Sequence, residues 1–522
     1  MPTDCSQFQI PSLTEALFIR ATESPHDFAY AARGERVSWA TLLAGVLRTV
    51  SALSAAGVGD GARCALVLPT SLDFVRSFYA LQLLGAVPLA INPRAPTGQV
   101  LRRIAEFDCE CVIVDDGDVA TGVAALRRAI RLDPRLFREQ ASASRRSLPP
   151  PDPEALSHLQ LTSGTDGSPK GVRIKHGNVL ASLRASHDLI EPRPDDLLVG
   201  WLPLYHDMGL FRLVLQPLYF GVGCHLIDPS LAAMRAWLHI VSKVNGTLTG
   251  APDFAYRLSV RLVKAGEVDL RSLRVATNGG EPVRLTSIRA FEEHFGVPGV
   301  VHPGYGLAEA TLGVASVRPG ETLRVDEAGN VACGRPLKGV DVQVVDDAGV
   351  PVPSGQSGRI VVRGPVVCDG YWSDVATTTG VLGDGWLDTG DIGRLDADGH
   401  LFVLGRARAM IKRAGASIAP REIEEVVDSI AGVRRSAAIG VLTGTEAWTE
   451  DLIVVAETER HLSEADRAAL RGSISQRTHG AIGVAPRDVL LTSAGSIPRT
   501  STGKIRYEEL RALVTSDSLG GD

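Results

Sequence analysis

The chain lacks a basic surplus, a cysteine framework, a long apolar run and any internal repeat, and each lack closes off a class of function. Its 54 lysines and arginines stand against 60 aspartates and glutamates, a formal net charge of −6. No basic field is therefore available to hold nucleic acid or an anionic lipid surface. The seven cysteines, Cys5, Cys64, Cys109, Cys111, Cys224, Cys333 and Cys368, are scattered and odd in number, which excludes a disulfide scaffold and fits reduced thiols. Cys109-Glu110-Cys111 has the spacing of a metal pair, but no second Cys/His pair lies near it and ECVIVDD reads as a strand. No stretch of about 18 uncharged apolar residues occurs, and the opening MPTDCSQFQIPS has neither a basic nor an apolar leader region. No membrane span is expected, and the expected location is cytoplasmic.

What is present is a long, ordinary soluble composition. With 522 residues and 44% hydrophobic content the chain exceeds what one core organises, so two or more domains are expected. From Ser38 to Gly57 the residues Leu42, Leu43, Val46, Leu47, Val50 and Leu53 recur at helical spacing. The strand-like CALVLP follows, then a helix from Ser71 to Gly85, then the strand-like AVPLAIN and ECVIVDD. This alternation predicts an α/β fold with a substantially parallel sheet. Residues 142–153 are basic and proline-rich and read as an exposed linker. Past residue 335 the short segments VDVQVVD, GRIVVRGP and HLFVLGR, set between turn signals, predict a small β-rich subdomain. Alternation of helix and strand resumes after Arg406, with helices at PREIEEVVDSI and SEADRAALRGSISQR around two strands. The expected division is a large N-terminal domain over 1–407 and a small α+β lid over 408–522.

Two lysine-bearing segments far apart in the chain stand out. Residues 158–172, HLQLTSGTDGSPKGV, form a hydroxyl- and glycine-rich loop closed by Lys170. Thr162, Ser163 and Thr165 offer hydroxyls, while Gly164, Gly167 and Gly171 permit the turns that bring backbone N–H groups onto phosphate oxygens. The spacing is not that of the common G-x-x-x-x-G-K-[ST] loop, because Pro169 precedes the lysine. Taken alone, the string is also compatible with a plain Ser/Gly surface loop. Lys504 sits far downstream in SIPRTSTGKIRY. Between the two lie GWLPLYHDMGL (200–210), NGGEPVR (278–284), PGYGLAEATL (303–312) and the 386–406 stretch with Asp391 in a sharp turn and Arg406 at a strand end. An aromatic such as Tyr305 can stack on adenine, and the backbone of a Gly-Glu-Pro turn can bond a purine edge. Asp391 can accept from two ribose hydroxyls, and Glu309 offers the hard oxygen that Mg²⁺ prefers.

On these strings the chain resembles the adenylate-forming superfamily of acyl-CoA synthetases, fatty acyl-AMP ligases and carrier-loading adenylation domains, from about residue 15 to 510. LTSGTDGSPKG, YGLAE, DTGDIG, GRARAMIKRAGASIAPREIE and PRTSTGK are the general signatures. WLPLYHDMGL, GAPDFAYRL, VATNGGEPVR and GYGLAEATL are closer to the fatty acyl-AMP ligases. The resemblance implies ATP and Mg²⁺ as cofactors and a mobile lid pivoting at Arg408. It places Thr162, Ser163, Gly164, Thr165, Gly167 and Lys170 on the phosphates, and Gly280, Glu281, Pro282, Tyr305, Gly306, Asp391 and Arg406 around the nucleoside. It makes Lys504, His206 and Glu309 catalytic, Glu309 holding the metal. Tyr205, His206, Gly209, Phe211, Arg212, Asp253, Phe254, Asn278 and Gly279 are expected to line the acyl pocket, and Gly415 the pantetheine tunnel.

Departures from the family pattern matter as much. Asp166 stands where a hydroxyl is commoner, Ala409 follows the hinge arginine in place of an acidic residue, and Asp253 replaces an asparagine. Arg212 occupies a position that is usually glycine; a guanidinium there either fills the acyl channel and demands a polar or anionic partner, Asp253 or the substrate, or runs along the wall to solvent. The insertion that usually braces the lid of fatty acyl-AMP ligases has no room in GYWSDVATTTGVLGDGWLDTGD. The expected function is activation of a short, medium or polar carboxylic acid as acyl-AMP, with transfer to the phosphopantetheine thiol of a separate acyl carrier protein in a biosynthetic pathway. CoA as acceptor, an amine acceptor, and a non-catalytic nucleotide or acyl-adenylate sensor stay open as alternatives. Ser516-Asp517-Ser518-Leu519 is similar to the modification string of carriers, but only four residues follow Ser518, too few to complete a helical bundle.

Overall fold

Short strands that are buried on both faces organise the N-terminal part of the chain. Val87–Ala90, Cys111–Val114, Leu248–Ala251 and Val275–Asn278 are buried at every position, the signature of parallel strands covered on both sides by helices. The computed structural model describes residues 10–115, 117–124, 130–133, 151–162, 170–327, 329–413, 416–442, 450–458, 462–482, 484–500 and 503–516. Most of the expected linker, 142–150, and the tail from 517 onward lie outside the described residues. Contacts divide the chain into two units, the first made of Met1–Arg324, Cys333–Val342 and Val361–Thr389, the second of Val325–Ala332, Gln343–Ile360 and Gly390–Asp522. Three of the five boundaries fall inside the strands Asp341–Val345, Gly358–Arg363 and Trp386–Leu395. Division by contact thus runs through the expected β-rich segment, whereas the expected pivot at Arg408 is a matter of motion and stays a proposal.

The first unit holds two sheets. One has nine strands in the order Arg335–Pro336, Ala315–Ser316, Val301–Tyr305, Val275–Asn278, Leu248–Ala251, Leu197–Gly200, Gly223–Leu226, Phe28–Ala32 and Glu35–Ser38. From Val301–Tyr305 through Phe28–Ala32 every pairing is parallel. The other has six strands, Ile130–Leu132, Cys111–Val114, Arg63–Val67, Val87–Ala90, Leu156–Leu161 and Gly171–Lys175, parallel except for the last pair. The mixed α/β class expected from the sequence is what the chain forms. Trp39–Ala55 is a helix capped by Ser38, whose side chain accepts from Thr41 N, and it buries Leu42, Val46, Val50 and Leu53. Leu43 and Leu47 sit at the margin of that face. Leu72–Leu83 is capped in the same way by Ser71.

In the second unit Val433–Val441 and Asp451–Thr458 run antiparallel, and Asp488–Thr492 adds a parallel third strand. The helices Pro420–Asp428 and Glu464–Ile482 cover one face through Ile423, Val427, Leu470 and Ile474, and Leu510 of Tyr507–Thr515 packs with Ile439 and Val455. Buried Glu424 is satisfied by Ala438 N at 3.1 Å and the Tyr507 hydroxyl at 2.9 Å. Among the described residues no helix is long and apolar enough to cross a membrane.

One polar clamp fixes where three of the central strands begin. Asp196, whose carboxylate is 1% exposed, accepts from Arg274 Nε at 2.8 Å, Thr247 Oγ1 at 2.7 Å and Arg193 N at 2.7 Å, and Arg274 NH2 bonds its second oxygen. Arg274 also donates to Ile190 O and Glu191 O. Burial alone would raise the Asp196 pKa, but these donors outweigh it and hold the carboxyl below its ordinary value. Arg274→Ala should strand the carboxylate and cost about 3–5 kcal/mol, read as a lower thermal midpoint at pH 7. Because the folded pKa is depressed, the carboxylate's contribution is complete above the unfolded value of about 3.9 and lost as pH falls below it. The wild-type advantage over Arg274→Ala should accordingly shrink on acidification below about pH 4.

Candidate active site

Parallel pairing brings the distant strings together. Val301–Tyr305, Val275–Asn278, Leu248–Ala251 and Leu197–Gly200 are neighbours with a common direction. Their carboxyl ends lead directly into Gly306-Leu307-Ala308-Glu309, Gly279-Gly280-Glu281, Pro252-Asp253-Phe254 and Trp201 to His206. In open α/β sheets that edge is where ligands bind. Gln160 on Leu156–Leu161 donates through Nε2 to Tyr205 O at 3.1 Å, tying the entry of the phosphate loop to the acyl-pocket string. His158, the first residue of the loop string, faces the core; burial, then the His176 charge, push its pKa down to about 3, and it is a neutral structural residue.

Thr162 N donates to Lys170 O at 3.0 Å, and Leu161 faces Gly171 in the adjoining antiparallel register. The two ends of the loop are therefore locked as the mouth of a hairpin. Ser163, Gly164, Thr165 and Gly167, with Asp166, lie outside the described residues. Lys170 Nζ donates to Thr377 Oγ1 at 3.2 Å and lies 5.5 Å from the centre of the Tyr371 ring, within cation–π range. The Tyr371 hydroxyl donates to Glu309 Oε1 at 2.8 Å. Lys170 and Glu309 thus meet across one tyrosine, which sequence reasoning passed over although it stands in the GYW string.

The segment carrying Tyr371 is strapped in place by backbone bonds. Arg173 N bonds Gly370 O at 2.9 Å, Asp369 N bonds Arg173 O at 3.0 Å, Trp372 N bonds Gly171 O at 2.8 Å, and Cys368 N bonds Glu309 O at 2.8 Å. Glu309 itself sits on the 3-10 turn Ala308–Ala310. The following Thr311 and Leu312 have φ of +51° and +88°, a region a branched side chain such as Leu312 adopts only under constraint. Thr311 supplies that constraint, donating through Oγ1 to Val366 O and accepting on its own carbonyl from Ser182 Oγ at 2.6 Å. Gly306 is obligatory here, since a Cβ would lie 1.6 Å from Leu312 O.

Around this centre the remaining candidates divide. Tyr305 pairs with Ala315 at a strand end and stays partly accessible, as does Phe254, which packs edge-on to Trp201 with centroids 6.2 Å apart. His206 precedes the helical turn Asp207–Leu210, its Nδ1 lying 2.6 Å from Asp207 Oδ1. Gly209 lets that turn press against Pro203, whose carbonyl oxygen a Cβ would meet at 1.9 Å. Gly280, with φ +83°, makes the expected tight turn ahead of Pro282. The Glu281 carboxylate accepts from Phe254 N, so its side chain caps the helix Asp253–Leu262 and leaves the backbone of the turn for a ligand. Phe211 is buried against His158, with centroids 6.2 Å apart. Asn278 is buried and donates to Asp253 Oδ1 at 3.0 Å beside Gly279. Asp253 also accepts from Arg284 N at 3.1 Å and Ser287 Oγ at 2.8 Å, and lies 3.5 Å from Arg257. It is the knot that joins two helix starts, and its bonds do not go to Arg212.

In the second unit Asp391 lies within the strand Trp386–Leu395, directly opposite Arg406 in the register. The expected sharp turn is a bend of the strand instead, with Gly390 at φ +70° and a bulge between Ile392 and Gly393. Asp391 Oδ1 is 3.0 Å from Arg406 Nε. Lys504 sits in a small hairpin: its N–H donates to Thr500 Oγ1 at 3.1 Å and its carbonyl accepts from Thr500 N at 2.9 Å. Arg408 is exposed on the 3-10 turn Ala407–Ala409, and Gly415 lies outside the described residues.

Comparison with known proteins agrees with this geometry. A family model described as AMP-binding enzyme matches residues 17–372. The medium-chain-fatty-acid acyl-carrier-protein ligase JamA of Moorena producens is 30% identical over 511 residues, covering 88% of this chain and 86% of its own. A putative acyl-CoA synthetase of Caulobacter vibrioides is 30% identical over 554 residues, 98% of this chain and 96% of its own. A solved structure from a study of fatty acyl-adenylate ligases of E. coli and L. pneumophila superposes with TM-score 0.86 at 29% identity over 98% of both chains. The chain belongs to the AMP-binding enzyme family and is an adenylate-forming ligase that activates acyl groups.

Proposed function

We propose that this ligase converts a short, medium or polar carboxylic acid and ATP into acyl-AMP and pyrophosphate, then passes the acyl group to the phosphopantetheine thiol of a separate carrier protein. The observation that carries the first half is the Lys170–Tyr371–Glu309 arrangement beside the locked mouth of the phosphate loop. A substrate carboxylate oxygen attacks the α-phosphorus and the bond to pyrophosphate breaks. Charge builds on the α-phosphate and on the leaving group, so oriented donors and cations lower the barrier. Lys170 and the loop hydroxyls take the departing phosphates, and Lys504 serves the carboxylate and α-phosphate. Glu309 offers a hard oxygen with its orientation fixed by Tyr371, a donor that fits Mg²⁺, whose part would be to neutralise phosphate charge. In the second half the thiol sulfur attacks the acyl carbon and AMP leaves with the bonding electrons. Support for a carrier acceptor comes from JamA, named as such a ligase. CoA is the second reading, favoured by the Caulobacter relative named an acyl-CoA synthetase and by the short stretch after Trp372, which is one helix, Val375–Val381, and the pairing of Leu382 and Gly383 with Leu387 and Trp386.

Three variants test these roles. Lys504→Ala should lower acid-dependent pyrophosphate exchange by roughly 10²- to 10³-fold with an unchanged melting temperature; near-full exchange would remove Lys504 from the reaction. Tyr371→Phe keeps a ring beneath Lys170 and loses the bond to Glu309, so kcat/KM for ATP should fall roughly ten- to a hundredfold, the worth of a hydrogen bond to a charged group. Gly415→Leu should block thioester formation on carrier or CoA while adenylate still accumulates, separating the half-reactions as expected for a lid that turns about Arg408. Equal loss of both halves would contradict that separation.

A further inference from the structure

Arg212 projects from the π-helical turn Phe211–Leu215, which interrupts the helical run from Asp207 to Phe220. Such widened turns are rare and recur at functional sites. Its Nε is buried with no hydrogen-bond partner. Burial brings the guanidinium pKa down to about 10, with Tyr256 as its electrostatic neighbour, so it stays cationic at neutral pH. The Tyr256 hydroxyl donates instead to Thr277 O at 2.8 Å. The carboxylate expected to neutralise Arg212, that of Asp253, is committed to Asn278, Arg284 and Ser287. Among the described residues the cation has no counterion.

A second orphan stands beside it. Gln216 Oε1 is also buried without a partner, and Arg212 and Gln216 line the same narrow void of about 10 Å³ with Leu202, Phe220, Thr249 and Gly250. That volume is at the lower end of what a single water needs. Thr249 makes no bond to the cation: its hydroxyl donates to Val199 O and accepts from Trp237 Nε1. The arginine stem runs beside Gly250, where a Cβ would lie 3.2 Å from Arg212 Cδ. The side chain as a whole is half-buried and its two terminal nitrogens are not among the enclosed atoms; a cation so placed, with a buried Nε and no counterion, is open to a ligand that brings the opposite charge. His206 lies six residues up the same helical run, a rise of under about 10 Å.

We propose that Arg212 and Gln216 receive a second carboxylate of the substrate, which makes the activated acid a short α,ω-dicarboxylic acid. One carboxyl reacts beside His206, and the other swings the flexible Arg212 stem out of the void to form a charge-assisted pair, with the Gln216 amide turned to donate the second bond. This rests on the reading of residues 200–212 as a wall of the acyl pocket.

The test compares straight-chain monocarboxylic acids with dicarboxylic acids of equal length, by pyrophosphate exchange and by calorimetric titration of glutarate and adipate. Wild type should favour the diacid by at least tenfold in kcat/KM. Arg212→Met should abolish that preference, improve use of the monoacid and leave KM for ATP unchanged, with Arg212→Lys intermediate. Its melting temperature should stay close to that of wild type, since the guanidinium has a buried Nε without a partner and no ion pair is lost with it. Diacid binding lost in Arg212→Met while no acid supports exchange would uphold the receptor and overturn the adenylation reading. A wild-type preference for monoacids, or a diacid preference that survives in Arg212→Met, would overturn the proposal.

Discussion

The candidate residues of the first unit depend on the common direction and register of four adjacent strands, and that register is set at their far ends. Asp196 gathers Arg274, Thr247 and Arg193 around one buried carboxylate. The starts of Leu197–Gly200, Leu248–Ala251 and Val275–Asn278 are thereby drawn level. Because parallel strands rise at a near-constant rate, levelling the starts also levels the finishes. Residues Trp201, Pro252, Gly279 and, one strand further, Gly306 then open at a single edge. A polar cluster remote from the chemistry does the aligning, and a buried pair of this kind contributes more through geometry than through net energy.

Much of this was legible in the sequence, for physical reasons that can be named. Apolar runs of four or five residues between amphipathic helices announce parallel strands, and the helix over Trp39–Ala55 follows from its spacing and its serine cap. The glycines of the strings are legible because their contacts leave no space for a Cβ, as at Gly306. Three things were not legible. Tyr371 gained its role only when the strap from Cys368 to Trp372 lay beside Gly171–Lys175, a pairing between segments distant in sequence. Asp391 reads as a turn residue because Thr-Gly-Asp is turn-like, yet cross-strand pairing with Arg406 overrides local preference and makes it a bent strand. Asp253 looked free to meet Arg212 because sequence shows charges without showing which donors already surround them.

The site combines rigid and strained parts. The mouth of the phosphate loop, the Glu309 turn and the strap of Tyr371 are held by backbone bonds, which side-chain truncation leaves in place. The positive φ of Leu312 is sustained by Thr311 and its two partners. Strain of this sort persists only where the surroundings over-determine the backbone, and here it fixes the direction in which Glu309 faces.

Gly250 stands between two side chains that limit what can replace it. A side chain at 250 would collide with Thr277 Oγ1 at 2.4 Å and crowd the arginine stem at 3.2 Å. Of the two contacts the one to Thr277 is the collision, whereas the flexible arginine stem need give only a few tenths of an ångström. Thr277 lies opposite Gly250 on the adjoining strand. Position 250 is therefore held small by its neighbour in the sheet, whatever residue stands at 212.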